Sequence, residues 1–182
     1  MNGFRIPLRD WIETAVRWLQ VNLGDFFDAT ADRIDVVIDF LLNLLTAAPP
    51  LVTLGIICVL VLVMGGWRLA LFALGGLLLI QNIGLWQPML ETLALVLSAQ
   101  LLILLVGLPL GVLSARSQTA ERIIRPVLDF MQTMPAFVYL IPAVMFFGIG
   151  RVPGVIATFV FALPPLVRLV NLGIRQVPVE LV

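Results

Sequence analysis

The chain has 182 residues, of which 61% are hydrophobic and 12% charged, with a mean hydropathy of +1.10 and a formal net charge of zero. Soluble domains carry roughly 25% charged residues, so this composition is that of an integral membrane protein. The sequence has no histidine and no lysine, and Cys58 is its single cysteine, which excludes a disulfide framework, a cysteine metal site and histidine-based catalysis. The balanced charge offers no basic footprint for nucleic acid.

From Leu8 to Leu19 the apolar residues Leu8, Trp11, Ile12, Ala15 and Leu19 repeat at helical spacing, while Arg9, Glu13 and Arg17 take another face. This predicts an amphipathic helix. After Gly24 a second such helix is expected, because Asp28, Asp32, Asp35, Asp39 and Asn43 step by three or four opposite an apolar face that includes Ile34, Ile38 and Leu42. The acidic stripe reads either as a solvated face or as a site for a cation or partner. The first fifty residues lack the short apolar core of a cleavable leader, so the first long apolar run is expected to be a retained span.

Pro49 and Pro50 punctuate the chain, and spans are then expected over Leu51 to Met64, Leu69 to Trp86 and Thr92 to Leu113. Each approaches the roughly 20 residues that cross about 30 Å of hydrocarbon. The polar stretch SARSQTAERIIRP is expected outside the bilayer, followed by a fourth span over Val127 to Gly150 and a fifth over Pro153 to Leu169. Basic residues favour the cytoplasmic side of short loops. An N-terminus outside places Arg68, Arg116, Arg122, Arg125, Arg168 and Arg175 inside, leaving Arg151 and the tail arginines outside. The expected architecture is thus an all-α multispan membrane protein of about five transmembrane helices with an amphipathic helical tail. Three regions follow: an extracytoplasmic tail over 1–48, a first pair of spans over 49–86, and the block 87–182.

Several residues disturb these helices. Gly107 and Gly111 form a small-xxx-small pair that lets two helix backbones approach, most simply for packing. Gln100, near the middle of the third span, needs an interhelical partner or a polar cavity. Pro109 and Pro142 remove helical hydrogen bonds to the carbonyls of Leu105 and Val138, and Pro135, Pro164 and Pro165 add further candidate kinks. Freed backbone groups cannot face lipid cheaply, so such positions suit a pathway or a moving helix rather than a simple anchor. The sequence has no phosphate-binding loop of the G-x-x-x-x-G-K-[ST] type, and Glu91 and Asp129 lie near span ends rather than at a span centre. Energy for transport is therefore expected from a partner.

The segments MLETLALVLSAQ, GLPLGVLSARS, RPVLDFMQTMPAFVYLIPAVMFFGIGRVPGVIATFVFALPPLVRL and NLGIRQVPVELV, all within Gln87 to Val182, closely resemble the permease subunits of ProW-type glycine betaine/proline ABC importers. The acidic, amphipathic tail resembles that family as well. The resemblance implies a type I importer fold in the bacterial cytoplasmic (inner) membrane. It implies a second permease copy, cytoplasmic ABC ATPase subunits that use the ATP, and an extracytoplasmic solute-binding protein, with no cofactor bound by this chain. It implies compatible solutes such as glycine betaine, proline betaine, proline or choline. In such permeases an ATPase-coupling loop follows a segment like Gln176 to Val182, so Arg175, Pro178 and Glu180 form the approach to it, and the sequence reads as the N-terminal portion of a longer permease. The alternative is a truncated or regulatory membrane protein that keeps the permease spans without transport. Quaternary ammonium groups are held over aromatic faces, which nominates Tyr139, Phe137 and Phe146, with Gln100, for the substrate pathway; the other reading of these aromatics is packing.

Overall fold

The computed structural model describes residues 8–177, which form helices α1 (Leu8–Thr46), α2 (Pro50–Asn82), α3 (Trp86–Arg116), α4 (Gln118–Thr133), α5 (Ala136–Phe147) and α6 (Arg151–Arg175). The two amphipathic segments expected on either side of Gly24 are one helix of 39 residues. A glycine inside a helix costs only about 1 kcal/mol, and the apolar face that continues through Ile34 and Ile38, both buried, carries the helix past it. The Pro49-Pro50 pair then stops it. Pro50 opens α2 at a position where its missing N–H costs nothing, and the Thr53 hydroxyl donates to the Leu45 carbonyl at 3.4 Å across the turn.

The first two expected spans are joined in α2, which has 33 residues and one non-helical position, Gly66 at φ 79° and ψ 175°. Only glycine takes that conformation without strain. The Gly65-Gly66 signal therefore marks a kink at which two helical stretches meet without a loop, and Cys58, Val59 and Leu62 before it face Ala70, Leu71 and Leu74 after it across one groove. Of its residues only Thr53 and Leu54 are buried, so α2 presents an apolar surface nearly all round, as a helix facing lipid does.

The centre of the molecule is the pair α3 and α6. Gly107 lies against Leu163 and Leu166, Gly111 against Val167 and Val170, and Ser114 bonds Asn171, so contacts advance in the same direction along both helices and the two run parallel. Around them the buried residues Ala99, Ile103, Leu128, Val155, Leu163 and Val167 form the core, with Ile34 and Ile38 of α1 closing it on one side.

Parallel neighbours require the intervening chain to return across the same thickness. That return is made by α4 and α5, which are bent by 97°, so the span expected over Val127 to Gly150, with candidate kinks at Pro135 and Pro142, is broken at the first of them. The break sits at Met134 and Pro135. A residue before proline is driven out of the helical region, and Met134 is extended at φ −90° and ψ 137°. Pro142, expected to kink the interior, lies within an unbroken α5 of 12 residues, and Pro109, Pro164 and Pro165 likewise lie inside continuous helices. By length and composition α2, α3 and α6 can each cross a bilayer, and the α4–α5 pair adds a fourth crossing if it is one bent span. The expected fifth span is longer than its sequence signal, because α6 continues to Arg175.

Candidate functional site

Small residues let α3 and α6 approach. A Cβ on Gly111 would stand 2.6 Å from Val170 Cβ and 3.2 Å from the Val167 carbonyl, and one on Gly107 would stand 2.7 Å from Leu166 Cδ2. The glycine pair thus packs within this chain. The approach also brings polar groups into register at the shared C-terminal end of the two helices.

There Arg168, Asn171 and Arg175 are spaced i, i+3, i+7 and occupy one face of α6. Each finds a partner on another helix. Arg175 donates to Glu121 Oε2 at 2.6 Å and to the Ser114 carbonyl at 3.3 Å. Asn171 donates to the Ser114 hydroxyl at 2.9 Å. Arg168, one to two turns deeper, pairs with Asp129. Glu121 also accepts from Arg125 at 2.6 Å, and its side chain, 16% exposed, is the best shielded of the paired carboxylates. The Ser117 hydroxyl accepts from the Ala120 N–H at 3.3 Å and caps α4, which fixes where Glu121 starts the ladder. A cleft of about 530 Å³ lined by Gln118, Glu121, Arg122, Arg125 and Arg175 opens beside it.

A second feature is an apolar groove of about 390 Å³ between α4, α5 and α6, bounded by Phe130, Met134, Tyr139, Pro142, Phe146 and Val160. Tyr139 is held by its hydroxyl, which donates to the Met134 carbonyl at 3.0 Å. One face of Phe146 is covered by Phe27 of α1, with centroids 4.7 Å apart and planes 25° apart.

At the far end, α1 lies along the junction of α5 and α6. Gln20 donates to the Met145 carbonyl at 2.8 Å, Phe27 meets Phe147 edge-on at 5.4 Å, and Arg151 donates to Asp39 at 2.7 Å with Asp35 at 3.1 Å. Half of the acidic stripe therefore has a partner inside the chain. Asp28 and Asp32 are exposed.

Of the residues nominated for the pathway, the fold brings Tyr139 and Phe146 together in the groove, with Pro142. Phe137 is 76% exposed and outside it, and Gln100 is on the exposed face of α3 without a hydrogen-bond partner among the described residues. Pro135 marks the bend, Pro164 is buried, and Pro109 and Pro165 are exposed. Arg175 ends α6 in the ladder; Pro178 and Glu180 lie outside the described residues. The partners Glu121, Asp129 and Arg168 were not singled out from sequence, although the spacing of Arg168, Asn171 and Arg175 carried the signal.

Residues 107–182 match the family model described as "Binding-protein-dependent transport system inner membrane component". The chain is 44% identical over 178 residues, 98% of its length, to the glycine betaine transport system permease protein OpuAB of Bacillus subtilis (strain 168). The chain is thus similar to permeases of this kind over nearly its whole length. Similar identity is found elsewhere: 47% over 97% of the chain with the glycine betaine/carnitine transport permease protein GbuB of Listeria monocytogenes serotype 1/2a (strain 10403S), and 43% over 97% with the glycine betaine/proline betaine transport system permease protein ProW of Escherichia coli (strain K12). The chain spans 63%, 64% and 50% of the lengths of these three relatives. The matched permease segment opens at Gly107 and contains the glycine contacts, the ladder, the bend and the groove.

Proposed function

We propose that the chain is a membrane-embedded permease component of an ABC importer for glycine betaine and related quaternary ammonium solutes. The observation that carries this reading is the 44% identity over 98% of the chain to a glycine betaine permease. The geometry supports it. Parallel α3 and α6 with a broken return between them make a wall that can change shape at the Met134–Pro135 bend, as discontinuous helices do in transporters. Tyr139 and the uncovered face of Phe146 are aromatic surfaces of the kind that a trimethylammonium group prefers.

In this reading cytoplasmic ATPase subunits supply the energy, an extracytoplasmic binding protein delivers the solute, and a second permease copy completes the pathway. An outside N-terminus, with the C-terminal ends of α3 and α6 inside, goes with the two helical stretches that meet at Gly66 crossing separately. The cytoplasmic end then carries Arg116, Arg122, Arg125, Arg168 and Arg175, in keeping with the bias of basic residues to that side. Glycine betaine is the leading solute; choline has weaker support, since the choline transport system permease protein OpuBB of Bacillus subtilis (strain 168) is 32% identical over 48% of this chain. The test is ATP hydrolysis by the gene product assembled with its ATPase in nanodiscs. Stimulation by solute-loaded binding protein, and not by the empty protein, is the expected result. Hydrolysis indifferent to loaded binding protein would overturn the reading.

A further inference from the structure

Among the described residues, every polar bond that leaves α4 for another helix goes to one face of α6: Glu121 to Arg175 and Asp129 to Arg168. The two rungs run antiparallel along both helices, eight residues apart on α4 and seven on α6, or about 10–12 Å at 1.5 Å per residue. They differ in setting. The outer rung is shared with Arg125 and backed by the Ser114 carbonyl. The inner rung is a single ion pair whose side chains, 47% and 56% exposed, sit deeper along a spanning helix. Charges at such depth are costly against lipid and persist where they pair or face a polar cavity.

Four residues beyond Asp129, α4 ends at the bend. Met134 is extended and Pro135 has no N–H, so no continuous helical hydrogen-bond pattern fixes the angle between α4 and α5. One polar bond bridges the break, from the Tyr139 hydroxyl to the Met134 carbonyl. α4 is thus tied to α6 by the two rungs, besides its junction with α3 at Ser117 and its packing through Leu128, while α5 rests on α6 and α1.

We infer that Asp129 and Glu121 are positioning residues for transport: through Arg168 and Arg175 they make α4 follow the C-terminal end of α6, and α4 delivers that movement to the Met134–Pro135 bend and the groove beside it. This rests on the transport reading above for its purpose. The geometry it describes does not. Displacing the end of α6 moves α4 only while the rungs hold, and a swing of about 15° at the bend carries the far end of the twelve-residue α5 through roughly 5 Å.

The test is a pair of spin labels at Ile123→Cys and Ile149→Cys in a Cys58→Ser background, on the complete gene product in nanodiscs with its ATPase, in nucleotide-free and ATP-bound states. Both label sites are exposed. With the ladder intact, the distance distribution shifts between the two states. Asp129→Asn, close in shape, is expected to abolish or broaden that shift and to lower solute taken up per ATP hydrolysed by roughly fivefold. The exchange Asp129→Arg with Arg168→Asp is expected to restore both readouts. Glu121→Gln provides a second route should Asp129→Asn fail to assemble, and it is expected to reduce the shift in the same direction. An Asp129→Asn or Glu121→Gln protein with an unchanged shift overturns the inference, as does an exchange variant no better than the single one. Lack of uptake by the unsubstituted assembly would instead count against the transport reading, because the distances are read without it.

Discussion

A methyl group on Gly111 would have to enter the closest part of the α3–α6 contact. Its Cβ would lie 2.6 Å from both Cβ and Cγ1 of Val170 and 3.2 Å from the Val167 carbonyl oxygen. Neither neighbour yields easily, since a valine in a helix is confined to essentially one rotamer and the carbonyl belongs to the backbone. Overpacking of this kind costs about 1–3 kcal/mol, while alanine regains about 1 kcal/mol of helix propensity. From the middle of that range, Gly111→Ala is therefore expected to destabilise the fold by about 1 kcal/mol. At Gly107 the first obstruction is Leu166 Cδ2 at 2.7 Å, the end of a flexible side chain, so Gly107→Ala should fall within about 1 kcal/mol of the parent. Reversible unfolding in mixed micelles measures both. Combining Gly111→Ala with Val170→Ala removes the Cγ contact and should recover part of the loss, a coupling visible in a double-mutant cycle. Equal stability of Gly111→Ala and the parent, or no coupling to Val170, would refute the close parallel packing of α3 on α6.

Pro135→Ala returns an N–H to the bend and frees Met134 from its extended conformation; the label distance from Ile123 to Ile149 should lengthen as the α4–α5 angle opens, and an unchanged distance would show that packing rather than the proline sets it. Arg151→Gln removes the partner of Asp35 and Asp39. These pairs are about half exposed, so the loss of stability should be about 1 kcal/mol or less. Amide exchange of residues 20–39 should still rise, and about 1 M salt should reproduce part of that rise in the parent.

The membrane class, the helical character of every element and the position of the permease segment were legible in the sequence, because apolar length and a near gap-free resemblance both survive without tertiary information. Gly65-Gly66 and Met134-Pro135 show where reading along the chain falls short. Both are helix breakers: at the first two helical stretches meet at a kink without a loop, and at the second the chain turns by 97°. A local signal gives the place of a break and not its angle, which depends on what α5 and α6 pack against. Pro142 shows the converse: a proline inside an apolar run was legible, yet α5 continues through it. The candidate site was half visible. Tyr139 and Phe146 share the groove, but Phe137 and Tyr139, two positions apart, point to different faces of one helix. The ladder was the hardest to see. Its rungs join residues 39 and 54 positions apart, and only the parallel register of α3 and α6 brings those positions together.

The central claim is that this chain forms part of a solute pathway driven by a separate ATPase. Uptake of radiolabelled glycine betaine into proteoliposomes tests it most directly, with the complete gene product, its ATPase and its binding protein present and ATP enclosed on the ATPase side. The account predicts accumulation that requires ATP and loaded binding protein and is competed by unlabelled glycine betaine. Vigorous ATP hydrolysis by the same assembly with no accumulation of label would contradict it.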